Sequence, residues 1–262
     1  MKLDIYQIDT FTDQLFGGNP ACVVPLPHWL PDDILLKITK ENAVAETAFF
    51  VNNDDTIHLR WFTPEIEMDL CGHATLATAH CLKTILNYPK DTIVFETMSG
   101  DLTVEFNEGL YQLNFPSRMP NISKLPDAIK NALNIPPKRI YKSRDYVLVY
   151  DSEADIRNLK IDRQIFDQIN LGTGGVIVTS EGHQYDYVYR FFTPQASILE
   201  DPATGSAQCS LIPFWASELK KDKLSAIQLS ERMGHFQCEN KKSRVLISGN
   251  AKTYSSGHFW TH

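Results

Sequence analysis

The sequence predicts two similar α/β domains, each a curved mixed sheet wrapped around a central buried helix, and three observations carry that expectation. Arg60-Trp61-Phe62-Thr63-Pro64 returns as Arg190-Phe191-Phe192-Thr193-Pro194, a shift of 190 − 60 = 130 in a chain of 262 residues. A single repeat of half the chain marks a duplicated domain, whereas solenoid repeats have periods of roughly 20–50 residues. Seven residues after each proline a helix-start signal follows, Cys71-Gly72-His73-Ala74-Thr75 in one copy and Asp201-Pro202-Ala203-Thr204-Gly205 in the other. Each signal opens a charge-free stretch, and a helix that is apolar on every face belongs inside its domain.

The elements follow in order. Leu3 to Ile8 alternates as a strand, Ala21 to Pro25 and Thr47 to Val51 are short apolar strands, and Ile57, Leu59 and Trp61 share one face of another. Asp32 to Asn42 carries Ile34, Leu35 and Ile38 at helical spacing, and Ala74 to Leu86, uncharged until Lys83, predicts the first buried helix. Strands are expected near Thr92–Glu96, Leu102–Phe106 and Tyr111–Phe115. Pro116, Pro120, Pro126, Pro136 and Pro137 interrupt regular structure, so the boundary is placed there, with one domain over 1–118 and the other over 119–262. The extreme C-terminus is expected to be free to pack back on the first domain. The second domain reads as a strand at Tyr146–Tyr150, broken helix over Asp155–Gln168, and strands at Gly175–Thr179 and Tyr187–Phe192. The second buried helix is expected over Ala203–Ala216, kinked or ended early at Pro213, before strands at Phe236–Cys238 and Leu246–Ser248.

Composition narrows the function classes. Hydrophobic residues make up 43% and charged residues 22%, an ordinary globular balance. A net charge of −7 without any concentrated run of Lys and Arg argues against nucleic acid as a partner. No uncharged apolar stretch reaches the ~18 residues of a membrane span. Five cysteines without a CxxC pair, and an N-terminus without signal-peptide features, suit a reducing cytoplasm. The histidines form no HExxH spacing, so no metal is assigned, and the absence of GxGxxG and GxxxxGK[ST] gives no indication of a nucleotide cofactor.

The candidate chemistry lies at the two helix starts. Unpaired N–H groups and the positive end of the macrodipole attract anions, so two such mouths facing each other across the domains would hold a carboxylate. Gly72 and Gly205 allow close backbone approach, and Ser206 adds a hydroxyl donor. An ordinary capped first turn, with Asp201 and Pro202 as N-cap and N1, is the alternative. Glu46 enters an otherwise small or apolar strand, Ala43 to Phe50, where desolvation would raise its pKa toward that of a base working near neutral pH. An exposed strand-end glutamate is the competing reading, as a satisfied helix-start histidine is for His73. Asn19, in the tight turn Gly17–Pro20, is a candidate substrate contact. Cys71 and Cys209 read as packing residues, with Cys71 open to a depressed pKa at its helix mouth.

GGNPACVV from Gly17, AETAFF from Ala45, RWFTPEIEMDLCGHAT from Arg60 and RFFTPQASILEDPATGSA from Arg190 together resemble the phenazine-biosynthesis PhzF-like isomerase family. The resemblance spans nearly the whole chain in order. It implies the diaminopimelate epimerase-like fold, a site in the cleft between two similar domains, and a homodimer. It also implies Glu46 as acid/base, with His73, Asp201 and Ser206 around the substrate and backbone donors at Gly72, His73, Gly205 and Ser206. Ala45 stands where the family often has serine, which leaves the substrate open. The expected activity is a cofactor-independent proton shift on a small, carboxylate-bearing, amino-acid-like molecule. An amino-acid epimerase or racemase and a non-catalytic carboxylate binder are the alternatives. Two-thiol epimerisation is disfavoured, because Cys71 stands at one mouth but Asp201 and Pro202 at the other.

Overall fold

The computed structural model describes residues 1–53 and 56–261. The chain divides into two compact units, one of Met1–Phe115 with Ile247–His262, the other of Pro116–Leu246. The sequence put the division between 118 and 119. The first unit contains β1 (Lys2–Thr10), β2 (Asn19–Leu26), α1 (Asp32–Asn42), β3 (Glu46–Asn53), β4 (Thr56–Phe62), β5 (Glu67–Met68), α2 (Gly72–His80), β6 (Thr92–Thr97), β7 (Gly100–Asn107) and β8 (Leu110–Pro116). The second contains β9 (Asn121–Ile122), α3 (Asp127–Ala132), β10 (Arg139–Lys142), β11 (Tyr146–Val149), α4 (Glu153–Asn158), α5 (Arg163–Phe166), β12 (Val176–Glu181), β13 (Tyr187–Phe192), α6 (Gln208–Leu219), β14 (Lys223–Gln228) and β15 (Gly234–Lys241). β16 (Arg244–Gly249) crosses the division, and β17 (Ala251–Trp260) returns to the first unit. No helix among the described residues is long and apolar enough to cross a membrane.

The duplication shows in the strand pairing within each unit. In the first, β17–β1 and β1–β2 are antiparallel, β2–β3 parallel, β3–β4 antiparallel, β4–β6 parallel and β6–β7 antiparallel. In the second, β9–β10 and β10–β11 are antiparallel, β11–β12 parallel, β12–β13 antiparallel, β13–β14 parallel and β14–β15 antiparallel. The two sequences of senses match strand for strand.

The repeated arginine has the same job in both copies. Arg60 forks onto Glu67, with Nε to Oε1 and Nη2 to Oε2 both at 2.7 Å, and its guanidinium lies 5.0 Å from the Phe62 ring centre. Arg190 forks onto Glu200 with both contacts at 2.8 Å, and lies 4.9 Å from the Phe192 ring. A planar guanidinium matches a carboxylate edge in this bidentate way, and lysine cannot. Phe62 pairs with Glu67 and Phe192 with Glu200, so the second turn is longer by (200 − 192) − (67 − 62) = 3 residues.

That insertion corrects the alignment of the helix starts. Regular helix opens at Gly72 in one unit and with the 3₁₀ turn Gly205–Ala207 in the other, a shift of 205 − 72 = 133. Cys71-Gly72-His73 therefore corresponds to Thr204-Gly205-Ser206. Asp201 and Pro202 lie in the preceding loop and are neither N-cap nor N1 of a helix.

Both buried helices are present with changed limits. All nine residues of α2 are buried, and it packs on β1, β2, β3 and β17. Past His80 the helix widens into a π turn, Cys81–Ile85, with Leu86 N–H donating to Cys81 O at 3.0 Å. The polar His80 is accommodated by contacts from its ring nitrogens to Tyr111 OH (3.1 Å) and Thr253 Oγ1 (2.9 Å). Burial, with Lys252 second, lowers its pKa to about 4, so it is neutral at pH 7. In the second unit α6 packs against β14 and β15. Of the two outcomes expected at Pro213, the early end does not occur, because α6 runs on to Leu219. A helical proline orphans the carbonyl four residues back, here Cys209 O, and Arg118 N–H fills that acceptor at 2.8 Å.

Candidate active site

Local structure delivers Glu46 to its position. α1 ends as Ala43 takes the left-handed conformation (φ 53°), and Asn42 Nδ2 donates to Thr47 Oγ1 at 3.0 Å, which fixes the entry into β3. Glu46 is the first residue of β3, and its register partner on β2 is Ala21, whose methyl leaves room for a longer side chain beside it. Asn19 lies two residues before Ala21 on β2, so the pleat places it on the same face, and it is fully buried.

His73 is the second residue of α2, whose N-cap, Cys71, offers no side-chain oxygen to the first amides. Its Nε2 stands 3.1 Å from Glu46 Oε2, with the two side chains 5% and 16% exposed. The pair is a charge contact rather than an aligned hydrogen bond, because neither atom has a hydrogen-bond partner of acceptable geometry. On the other side of the ring Nδ1 lies 3.6 Å from Cys71 Sγ. Glu46, Cys71 and His73 each place a potential metal donor within 4.8 Å of the others. The imidazole turns opposite nitrogens to the thiol and the carboxylate, however, a geometry that suits passing charge between them better than gripping one ion.

Burial disfavours the His73 imidazolium, but the Cys71 sulfur and the Glu46 carboxylate favour it, and the balance raises its pKa well above the ordinary value. Burial raises the pKa of the Cys71 thiol as well, and the His73 imidazolium opposes that rise. With the folded pKa above the unfolded value of about 6.5, the stabilisation is complete below that pH and lost as pH rises through the folded value. Glu46→Gln removes the carboxylate and keeps the burial. The His73 pKa followed by NMR is therefore expected to fall in that variant, and an unchanged value would contradict the pairing.

The second unit carries different chemistry at equivalent places. Thr47 pairs with Phe62 and Val176 with Phe192, so Gly175 occupies the counterpart of Glu46. No acid fits there, since even a Cβ at Gly175 would meet the Phe191 ring at 2.4 Å and Phe192 O at 2.9 Å. Cys22 pairs with Thr47 and Tyr146 with Val176, so Asp145 is the counterpart of Ala21. Asp145 is 1% exposed, accepts from Gly175 N–H at 2.9 Å, and takes Arg144 Nη2 at 2.9 Å. The other predicted residues fall around the start of α6. Asp201 accepts from Thr204 Oγ1, and its backbone carbonyl accepts from Gln228 Nε2. Gln228 Oε1 takes Thr204 N–H at 2.6 Å, which holds the loop before Gly205. Ser206 Oγ accepts from Arg144 Nη2 at 3.1 Å. Arg144, Asp145 and Gln228 were not singled out from the sequence. The one available signal was that Asp145 immediately precedes the strand matching Ala21–Pro25.

The family model described as phenazine biosynthesis-like protein matches residues 8–257. A protein of Pseudomonas aeruginosa named as an uncharacterized isomerase is 43% identical, with 98% of each chain covered. The crystal structure of a PhzF-family phenazine biosynthesis protein from Enterococcus faecalis superposes with a TM-score of 0.93 at 40% identity, covering 100% of both chains. A hydroxyproline epimerase from Agrobacterium vitis shares the fold at 12% identity, with a TM-score of 0.62 over 98% of this chain and 92% of that one.

Proposed function

The chain belongs to the phenazine biosynthesis-like family, and on that premise we propose that it is a cofactor-independent isomerase. It shifts a proton on a small, carboxylate-bearing, amino-acid-like substrate, with Glu46 as the single acid/base. The observation that carries this reading is the asymmetry of the duplicated positions. Glu46 faces His73 at 3.1 Å in the first unit, and its counterpart in the second is Gly175, where a side chain has no room.

The proposed cycle follows from charge. Glu46 takes a proton from a carbon acidified by conjugation, and its negative charge passes to the substrate. The His73 imidazolium, already paired with that charge, stabilises it as it moves; such preorganised donors are worth roughly 3–4 kcal/mol each. Glu46 then returns the proton to another carbon on the same face. Gly72 and His73 at the start of α2, with Asn19 on the same sheet face as Glu46, are proposed substrate contacts in the first unit. Gly205 and Ser206 are proposed to bind an anionic group, and Asp201 an amino group.

Epimerisation requires a second acid/base group on the opposite face of the carbon. Thr204 corresponds to Cys71 by the 133-residue shift, so the second thiol of a two-thiol pair is missing from that position. Turnover of β,γ-unsaturated amino acids in heavy water separates the readings. Deuterium at a new carbon is the expected result, deuterium at the original carbon with inversion marks an epimerase, and no incorporation marks a binding protein.

A further inference from the structure

Arg144 is clamped by its neighbour. Its Nε lies 3.1 and 3.2 Å from the two Asp145 carboxylate oxygens, and its Nη2 lies 2.9 Å from Oδ2. Asp145 is anchored in turn by Gly175 N–H. This carboxylate is thus engaged on both oxygens and is held within a nearly closed environment, an anchor rather than a second base. The second hydrogen of Nη2 goes to Ser206 Oγ at 3.1 Å.

A guanidinium has no acceptor, so this hydrogen bond has only one direction. Ser206 Oγ must accept from Arg144, and its own proton must point elsewhere. Among the described residues that oxygen has no other hydrogen bond, and the residue is only partly buried. We propose that Arg144 is a positioning residue that makes the Ser206 hydroxyl an obligate donor to a substrate carboxylate. The chain of polarity runs from Asp145 through Arg144 and Ser206 to the anion. In the first unit the equivalent helix-start residue is His73, so each unit offers a donor at that place, the imidazolium beside the Glu46 carboxylate and the hydroxyl beside the Arg144–Asp145 pair.

This rests on the reading that Ser206 binds a carboxylate, and the test separates the two. Binding of cyclohex-2-ene-1-carboxylate and of its uncharged amide is measured by calorimetry on the full chain for wild type, Ser206→Ala, Arg144→Met, Arg144→Lys and the double variant Ser206→Ala/Arg144→Met. Each single loss is expected to weaken the carboxylate by about 10- to 100-fold, the range for a hydrogen bond to a charged group, and the amide, a neutral acceptor, by less. The double variant is expected to bind no more weakly than the worse single one, because both act through one donor. Arg144→Lys, which keeps a cation able to donate to Ser206, is expected to recover part of the loss and controls for misfolding. Additive losses would overturn the positioning role. Loss in Ser206→Ala with wild-type binding in Arg144→Met would overturn it while leaving the carboxylate reading intact. Unchanged binding in Ser206→Ala would overturn both.

Discussion

Glu46→Gln is expected to lower the rate of proton transfer by roughly 10²–10⁴-fold, the usual range for a positioned general acid–base group. The substitution is isosteric, and among the described residues the Glu46 side chain makes its polar contact with His73 alone, so fold and substrate binding are expected to survive. Turnover and solvent exchange should fall together while substrate affinity changes little, the pattern of an interaction made only in the transition state. A rise in KM with kcat preserved would instead make Glu46 a binding group. The lowered His73 pKa in the same variant provides an independent check that the carboxylate and imidazole are coupled as described.

Arg190→Met is expected to give the larger stability loss of the two repeated arginines. Arg190 forks onto Glu200, and its Nη1 also reaches Ile156 O at 3.1 Å and Leu159 O at 2.9 Å, the carbonyls at the end of α4. Its removal leaves a part-buried carboxylate unpaired and two carbonyls without their donor. Leaving that carboxylate unpaired costs about 1–3 kcal/mol, and the two carbonyls left without a donor raise the expected loss above that range. Arg60→Met leaves Glu67 unpaired in the same way, but its further partner Asp32 is 66% exposed and water replaces that contact. Its cost is expected to be nearer 1–3 kcal/mol, the range for leaving one charged partner unsatisfied. Hydrogen exchange of β12 and β13 amides for Arg190→Met, and of β3 and β4 amides for Arg60→Met, measures each unit separately. Equal losses would mean that the α4 carbonyls add nothing.

The legible part of the fold was the part where one physical need fixes residue identity twice. Arg60 and Arg190 are visible as a repeat because only a guanidinium makes the fork, and the two buried helices are visible as uncharged stretches because an unpaired charge is costly on a helix buried all round. The three-residue insertion between Phe192 and Glu200 was not visible. Glu67 and Glu200 stand in unlike sequence, and their equivalence rests on their pairing with Phe62 and Phe192. Pro213 looked like a breaker because the chain shows the missing N–H but not the Arg118 amide that fills the orphaned acceptor. β17 was missed because nearly all its residues are exposed on both faces, which erases the alternation that marks a half-buried strand. In the site, Glu46 was noticed through its apolar surroundings, a local signal. Arg144 and Asp145 give no such signal, since their meaning depends on Gly175 and on Ser206, both far along the chain.

In the proposed reaction one carboxylate, Glu46, both removes and returns the proton. The most direct test is a single turnover in ordinary water of substrate deuterated at the carbon that loses its proton. A shielded Glu46 carries part of that deuterium to the new carbon, so retained label on the same face of the product is the predicted result, and its disappearance in Glu46→Gln should accompany loss of turnover. Product with inverted configuration at the original carbon and no transferred label, or label transfer at the wild-type rate in Glu46→Gln, would exclude Glu46 as the single proton carrier.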